Sequence, residues 1–321
     1  MPRWKMLLWG AAAALAFARC AASYAAALYP LAPGQRLIGE VQTYVTKRDE
    51  TLLDVARDHD LGYTQLMAAN QNLDPWLPGE GARVLLPTRY LLPDAPHRGI
   101  VINLAQQRLY YFLPKGDAVE TFPIGVGVQG WVTPLGDTRV VSKVANPAWY
   151  PPKSIRMEEP GLPRMVPPGP DDPLGRFALF LGWPSYLIHG TNKPDGVGRN
   201  VSHGCIRLYP EDVSLLFEEV PVGTRVRVID EEATIAWVGG ALYLAAYPSK
   251  TQADELDVTG RFSPAPIPNL MGQIARLAGN QADRINWDSV RRAESERTGI
   301  PIQVTDPARP SNAARTIPPQ D

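Results

Sequence analysis

Between residues 100 and 229 the chain strings together short runs of β-branched and aromatic residues, and this spacing demands a mainly β domain over that stretch. Ile100-Val101-Ile102-Asn103-Leu104 and Arg108-Leu109-Tyr110-Tyr111-Phe112 are separated by a polar turn and predict a hairpin. Further runs over 121–126, 138–144, 177–181, 186–189 and 225–229 continue the β character. The stretch 160–175 is rich in Pro and Gly and reads as a long surface loop, which either covers a binding groove or merely connects two strands.

The whole chain has 321 residues, 45% of them hydrophobic and 20% charged, enough for two or three domains at roughly 100–200 residues each. Lys and Arg total 32 against 33 for Asp and Glu, so the overall charge gives no sign of nucleic acid or an anionic membrane as partner. At the N-terminus Arg3 and Lys5 precede an apolar run over 6–17, shorter than the ~20 residues a membrane helix needs. Residues 1–27 are therefore read as a secretory signal, with small residues at Ala16-Phe17-Ala18 and through most of 21–27 offering two places for cleavage. A retained anchor is the second reading, and Arg19 weighs against lipidation of Cys20. The other thiol is Cys205. An unpaired Cys in an exported protein is unusual, because such compartments oxidise thiols, so Cys205 should have a use.

Residues 41–88 predict a small βααβ unit. Tyr44-Val45-Thr46 is β-like, Thr51 can cap a helix carrying Leu52, Val55 and Ala56, and Leu66, Met67 and Ala69 give a second apolar helical face. Pro78-Gly79 then turns the chain into Arg83-Val84-Leu85-Leu86. Through Tyr44-Val45-Thr46, Asp49-Glu50-Thr51-Leu52, Val55-Ala56, Met67-Ala68-Ala69-Asn70 and Leu77-Pro78-Gly79 the unit resembles a LysM module, which implies binding of N-acetylglucosamine-containing glycans. A spacer that binds nothing is the alternative. Such a module is expected to supply localisation and effective concentration only. Residues 87–99, with Pro93 and Pro96, read as a linker. After Asp230 a β-like run over 241–246 and helical patterns over 271–277 and 287–297 predict a small α+β extension, 231–304, and the Pro-rich residues 305–321 read as a disordered tail.

The densest chemical signal is Ile188-His189-Gly190-Thr191-Asn192, a glycine-rich excursion, and Ser202-His203-Gly204-Cys205-Ile206-Arg207-Leu208. A thiol with its free pKa of ~8.5 is only a few per cent thiolate at neutral pH, so a catalytic Cys needs a neighbouring imidazole or positive charge. Of the chain's four His, His59 lies in the LysM-like unit and His97 in the linker, which leaves His189 and His203 as partners. His189 ends a β-like run, and Pro194, Gly196 and Gly198 let the intervening loop fold back towards Cys205. Gly204 gives the backbone freedom to present amides to a developing oxyanion. On these residues alone a catalytic nucleophile, a buried structural thiol and a zinc site all stay open.

His189, the loop and Ser202-His203-Gly204-Cys205-Ile206-Arg207 together resemble the signature of the YkuD-type L,D-transpeptidases. The resemblance covers 98–230, includes Asn103-Leu104 and Thr133-Pro134-Leu135-Gly136, and extends past Asp230. The order of module, catalytic domain and extension is similar to the branch that includes enzymes linking a lipoprotein to peptidoglycan. The resemblance implies a mostly β, sandwich-like catalytic domain in a multidomain, mainly β chain. It implies that Cys205 attacks a stem tetrapeptide, releases D-alanine and forms a thioester that an amine resolves. His189 would move the protons with its ring oriented by the Gly190 carbonyl, and Ser202, His203 and Gly204 would form the supporting loop with oxyanion amides. Arg207 would fix that loop or meet a stem carboxylate, a structural ion pair being the alternative. No cofactor or metal is implied. The implied partners are peptidoglycan stem peptides and glycan strands, with an outer-membrane lipoprotein as one acyl acceptor, and the implied location is the periplasm. An L,D-carboxypeptidase using water as acceptor and a non-catalytic glycan-binding protein are the rival readings.

Overall fold

The computed structural model describes residues 27–128 and 130–306. The segment read as a secretory signal, up to residue 26 and with Cys20 in it, and residues 307–321 of the expected tail lie outside the described residues.

The described chain opens with two short strands, β1 (Ala27–Pro30) and β2 (Leu37–Gly39). Then come β3 (Gln42–Val45), α1 (Leu52–Asp58), α2 (Tyr63–Ala69) and β4 (Arg83–Leu86), with β3 antiparallel to β4. The start of α1 is encoded locally: the Thr51 hydroxyl accepts from the Asp54 amide while the Asp54 carboxylate accepts from the Thr51 amide. Leu52, Val55, Leu66, Met67, Val84 and Leu86 fill the core of this unit. Leu256, from far down the chain, completes the same core.

Residues 87–99, expected to be a linker, are built into the fold instead. Strand β5 (Arg89–Leu91) pairs with β2, and Tyr90, Leu91 and Leu92 are buried. A strand of three residues carries too little periodicity to read, and its partner lies far upstream.

The next strands are β6 (Gly99–Asn103), β7 (Arg108–Phe112), β8 (Ala118–Pro123), β9 (Val126–Gly127) and β10 (Gly136–Ala145). Helix α3 (Lys153–Glu158) and a long loop lead to β11 (Phe177–Leu181), β12 (Leu187–His189), β13 (Asn200–Ser202) and β14 (Ile206–Arg207). Helix α4 (Pro210–Glu219) and β15 (Arg225–Ile229) close this part. Nine strands form one sheet in the order β1-β8-β7-β6-β15-β10-β11-β12-β14, and β13 pairs with β9 beside it. The corner is β10. Gly136 through Arg139 pair with β15, the remainder pairs with β11, and a bulge between Val140 and Ser142 separates the two. A bulge bends and twists its strand, so the single sheet curls at this point. Ile100, Ile102 and Phe122 from one half meet Leu179, Ile188 and Ile206 from the other in one core, each such side chain worth about 1.5–3 kcal/mol on burial.

The remaining elements are β16 (Ala233–Val238), β17 (Ala241–Ala246), α5 (Lys250–Thr259), α6 (Leu270–Ala278), α7 (Trp287–Glu296) and β18 (Ile302–Gln303). Helix α5 went unread in the sequence, although Ser249 and Gln252 form a capping box at its start. Thr305 bridges to Ile285 and its hydroxyl accepts from the Leu242 amide, so the ordered chain runs past the boundary expected for the tail. Among the described residues no helix is long and apolar enough to cross a membrane.

Candidate active site

Strands β12 and β14 run parallel, with Ile188 opposite Ile206 and His189 opposite Arg207. Ile188 and Ile206 point into the core. Side chains alternate across a strand, so Leu187 and His189 lie on the other face of β12 and Arg207 on the other face of β14, while Cys205 immediately precedes β14. The pairing holds because Leu208 N–H donates to His189 O at 2.9 Å, and Arg207 exchanges two 2.9 Å backbone bonds with Gly125.

His189 is buried, and its Nδ1 lies 2.6 Å from Gly190 O. A carbonyl can only accept, so Nδ1 carries the hydrogen and Nε2 is left as the proton acceptor. Burial, and secondarily the Arg207 charge, push the imidazole down to about 3, against the pull of the Gly190 and Leu174 carbonyls. The ring is therefore neutral at neutral pH. Cys205 is half-buried and its Sγ reaches Ser185 O at 3.5 Å. Burial pushes the thiol above its ordinary value, although the Leu187 amide and Arg207 oppose the rise. Thiol and imidazole thus rest uncharged rather than as a thiolate–imidazolium pair.

Ser202 acts as a clasp within the loop that carries Cys205. Its buried hydroxyl donates to Cys205 O at 2.6 Å and accepts from the Gly204 amide at 3.1 Å. Gly204 sits at φ +97°, a conformation that L side chains rarely adopt, and a Cβ there would stand 3.1 Å from the Tyr186 ring. The Gly204 carbonyl accepts from the Thr133 hydroxyl at 2.8 Å. Since its amide is also committed, Gly204 serves the loop's shape.

His203 faces elsewhere. Its Nε2 meets Glu158 Oε2 at 3.2 Å, and its ring stands edge-on to Trp131 at 4.8 Å between centroids. Arg207 takes part in no ion pair among the described residues, and its Nε is buried without a hydrogen-bond partner. The long loop after α3 borders the site: Glu158 precedes it, and buried Leu174 near its end brings a carbonyl to His189. Sequence reasoning missed Glu158, Trp131, Leu174, Ser185 and Tyr186, which sit outside the signature at no fixed spacing from it. An aromatic next to a turn glycine, as in Gly130-Trp131, is the one signal that marked this set. A cavity of about 160 Å³ adjoins the loop, lined by Gly127, Trp131 and Thr133 on one side and by Lys250 and Ala253 of α5 on the other. Among the described residues no group of three or more His, Cys, Asp or Glu converges as a metal site.

Residues 97–228 match the model of the YkuD family, the L,D-transpeptidase catalytic domain. The chain belongs to the L,D-transpeptidase family. It is 35% identical over 294 residues to the probable L,D-transpeptidase ErfK/SrfK of Escherichia coli, a match covering 88% of this chain and 93% of that one. It is 44% identical over 230 residues to the probable L,D-transpeptidase YbiS of the same organism, covering 68% and 74% respectively. Among solved structures, the catalytic domain of the Enterococcus faecium L,D-transpeptidase aligns with 42% of this chain and 99% of that one, at 22% identity and a TM-score of 0.34.

Proposed function

We propose that this L,D-transpeptidase acts on peptidoglycan stem tetrapeptides with Cys205 as nucleophile and His189 as proton carrier. The observation that supports the reading is the buried His189 imidazole on β12, its Nδ1 held 2.6 Å from Gly190 O, beside the strand β14 that Cys205 immediately precedes. Sγ attacks the carbonyl of the third stem residue while His189 Nε2 takes the thiol proton. The proton passes to the departing amine as the C–N bond to D-alanine breaks, leaving a thioester. An acceptor amine then attacks the thioester, gives up a proton through His189 and releases the thiol. Because both groups rest neutral, proton transfer accompanies attack. The Gly204 amide is committed to Ser202, so the oxyanion falls to the neighbouring amides of His203 and Cys205, each such donor worth roughly 3–4 kcal/mol. Arg207, with no carboxylate of its own, is suited to a stem carboxylate.

Export to the periplasm follows from the N-terminal segment. The β-α-α-β unit is read as a LysM-type glycan binder, supported by Trp76 and Leu77, which stand 57% and 79% exposed on the loop before β4. The test is mass spectrometry of products from a disaccharide tetrapeptide with and without an added amine. Amide or cross-linked product that disappears in Cys205→Ala supports the reading. A tripeptide as sole product would mean that water is the acceptor and the enzyme a carboxypeptidase. Turnover surviving in Cys205→Ala would end the proposal.

A further inference from the structure

The loop that separates His189 from Cys205 is gripped by the β-α-α-β unit. The carbonyls of Val197 and Gly198 accept from the amides of Tyr63 at 3.4 Å and Thr64 at 2.9 Å, in the first turn of α2. From the opposite side, the Gly198 amide donates to Ile124 O at 3.2 Å. Gly62 and Gly198 meet backbone to backbone: a Cβ on Gly62 would stand 2.8 Å from Gly198 Cα, and one on Gly198 would stand 2.2 Å from Gly62 Cα. The same α1–α2 junction also holds the chain just past the nucleophile, where the Tyr209 hydroxyl donates to Leu61 O at 3.2 Å. Arg108, fully buried in β7, donates to Asp60 O at 3.1 Å and to Gln65 Oε1 at 3.0 Å. Residues 60–65 thus touch the catalytic domain before Cys205, after it and beneath it.

We propose that the α1–α2 junction is a positioning element of the catalytic site, and that Gly62 and Gly198 set the loop through which His189 meets Cys205. The proposal rests on the Cys205–His189 reading above. It departs from the expectation that the module supplies localisation alone. The contact is main chain against main chain, so no flexible side chain can absorb a displacement, and a shift on the order of 1 Å can cost up to about a hundredfold in rate.

Gly62→Ala is the test. Gly62 has φ −81° and ψ 149°, comfortable for any residue, so the new methyl's clash is with Gly198, while Pro123 Cβ stands at an ordinary 3.7 Å. The full chain is assayed on a soluble tetrapeptide, with the rate normalised to molecules whose Cys205 is titratable and whose thermal transition is retained. The expected result is a kcat lower by about tenfold or more, with KM within about twofold of the parent. Tyr209→Phe removes only the hydroxyl that reaches Leu61, and a fall in kcat of about threefold is expected. Parental normalised kcat in both variants, with Cys205→Ala inactive, would overturn the positioning role and leave the nucleophile intact. Turnover in Cys205→Ala would instead remove the reading underneath it.

Discussion

Arg57 of α1 and Glu211 of α4, 154 positions apart, face one another as a two-pronged ion pair, Nε to Oε1 at 2.9 Å and Nη2 to Oε2 at 3.0 Å. The pair ties the β-α-α-β unit to the helix that follows β14. Its side chains are 39% and 21% exposed, so solvent screens part of the attraction, and fork-to-fork geometry restores some of it. Glu211→Gln should cost about 1 kcal/mol in urea unfolding. A loss below roughly 0.3 kcal/mol would mean that the junction is held by its other contacts.

Ser202→Ala removes the clasp and leaves the Gly204 amide and the Cys205 carbonyl without their partner. Such orphaned groups cost about 1–3 kcal/mol. Hydrogen exchange at the Gly204 amide should quicken, and turnover should fall with the loosened loop. Unchanged protection at that amide would show that the loop keeps its shape without Ser202.

Cys205 should react as a thiol whose pKa has been raised. Its rate of alkylation by iodoacetamide is expected to climb with pH and to show no plateau at or below the ordinary thiol value. A plateau already reached at about pH 7 would reveal a standing thiolate and contradict the neutral pair.

His189 should stay neutral down to about 3. Its NMR ring shifts are expected not to move between about pH 5 and 8. The sign for stability follows: the unfolded imidazole protonates near 6.5 and the folded one only near 3, so the unfolded state binds more protons between them. This contribution to stability is full above about 6.5 and is lost as pH falls towards 3. His189→Gln should flatten that part of the curve and abolish most acylation. A ring titrating near its ordinary value would contradict both.

Much of the site was legible because it is compact in sequence. His189, Ser202, Gly204, Cys205 and Arg207 fall within nineteen consecutive positions, and the β-like run over 186–189 was readable, whereas β13 and β14 are too short to carry a periodic signal. The Thr51 cap and the hairpin of β6 and β7 were equally readable, since each depends on residues a few positions apart. His203 is the instructive case. Two residues from Cys205, it was a natural second partner, yet Glu158 and Trp131 claim it, and neither stands at a fixed spacing from the signature.

By itself, the sequence determined the mainly β character, the local helix starts and the order of the candidate site residues, because those follow from propensity, periodicity and spacing within short windows. Only the tertiary structure decided the curl at β10, the burial that holds thiol and imidazole neutral, and the grip of Gly62 on Gly198. Each of these depends on which distant segments exclude water from one another, and solvent exclusion belongs to the packed chain rather than to any stretch of it.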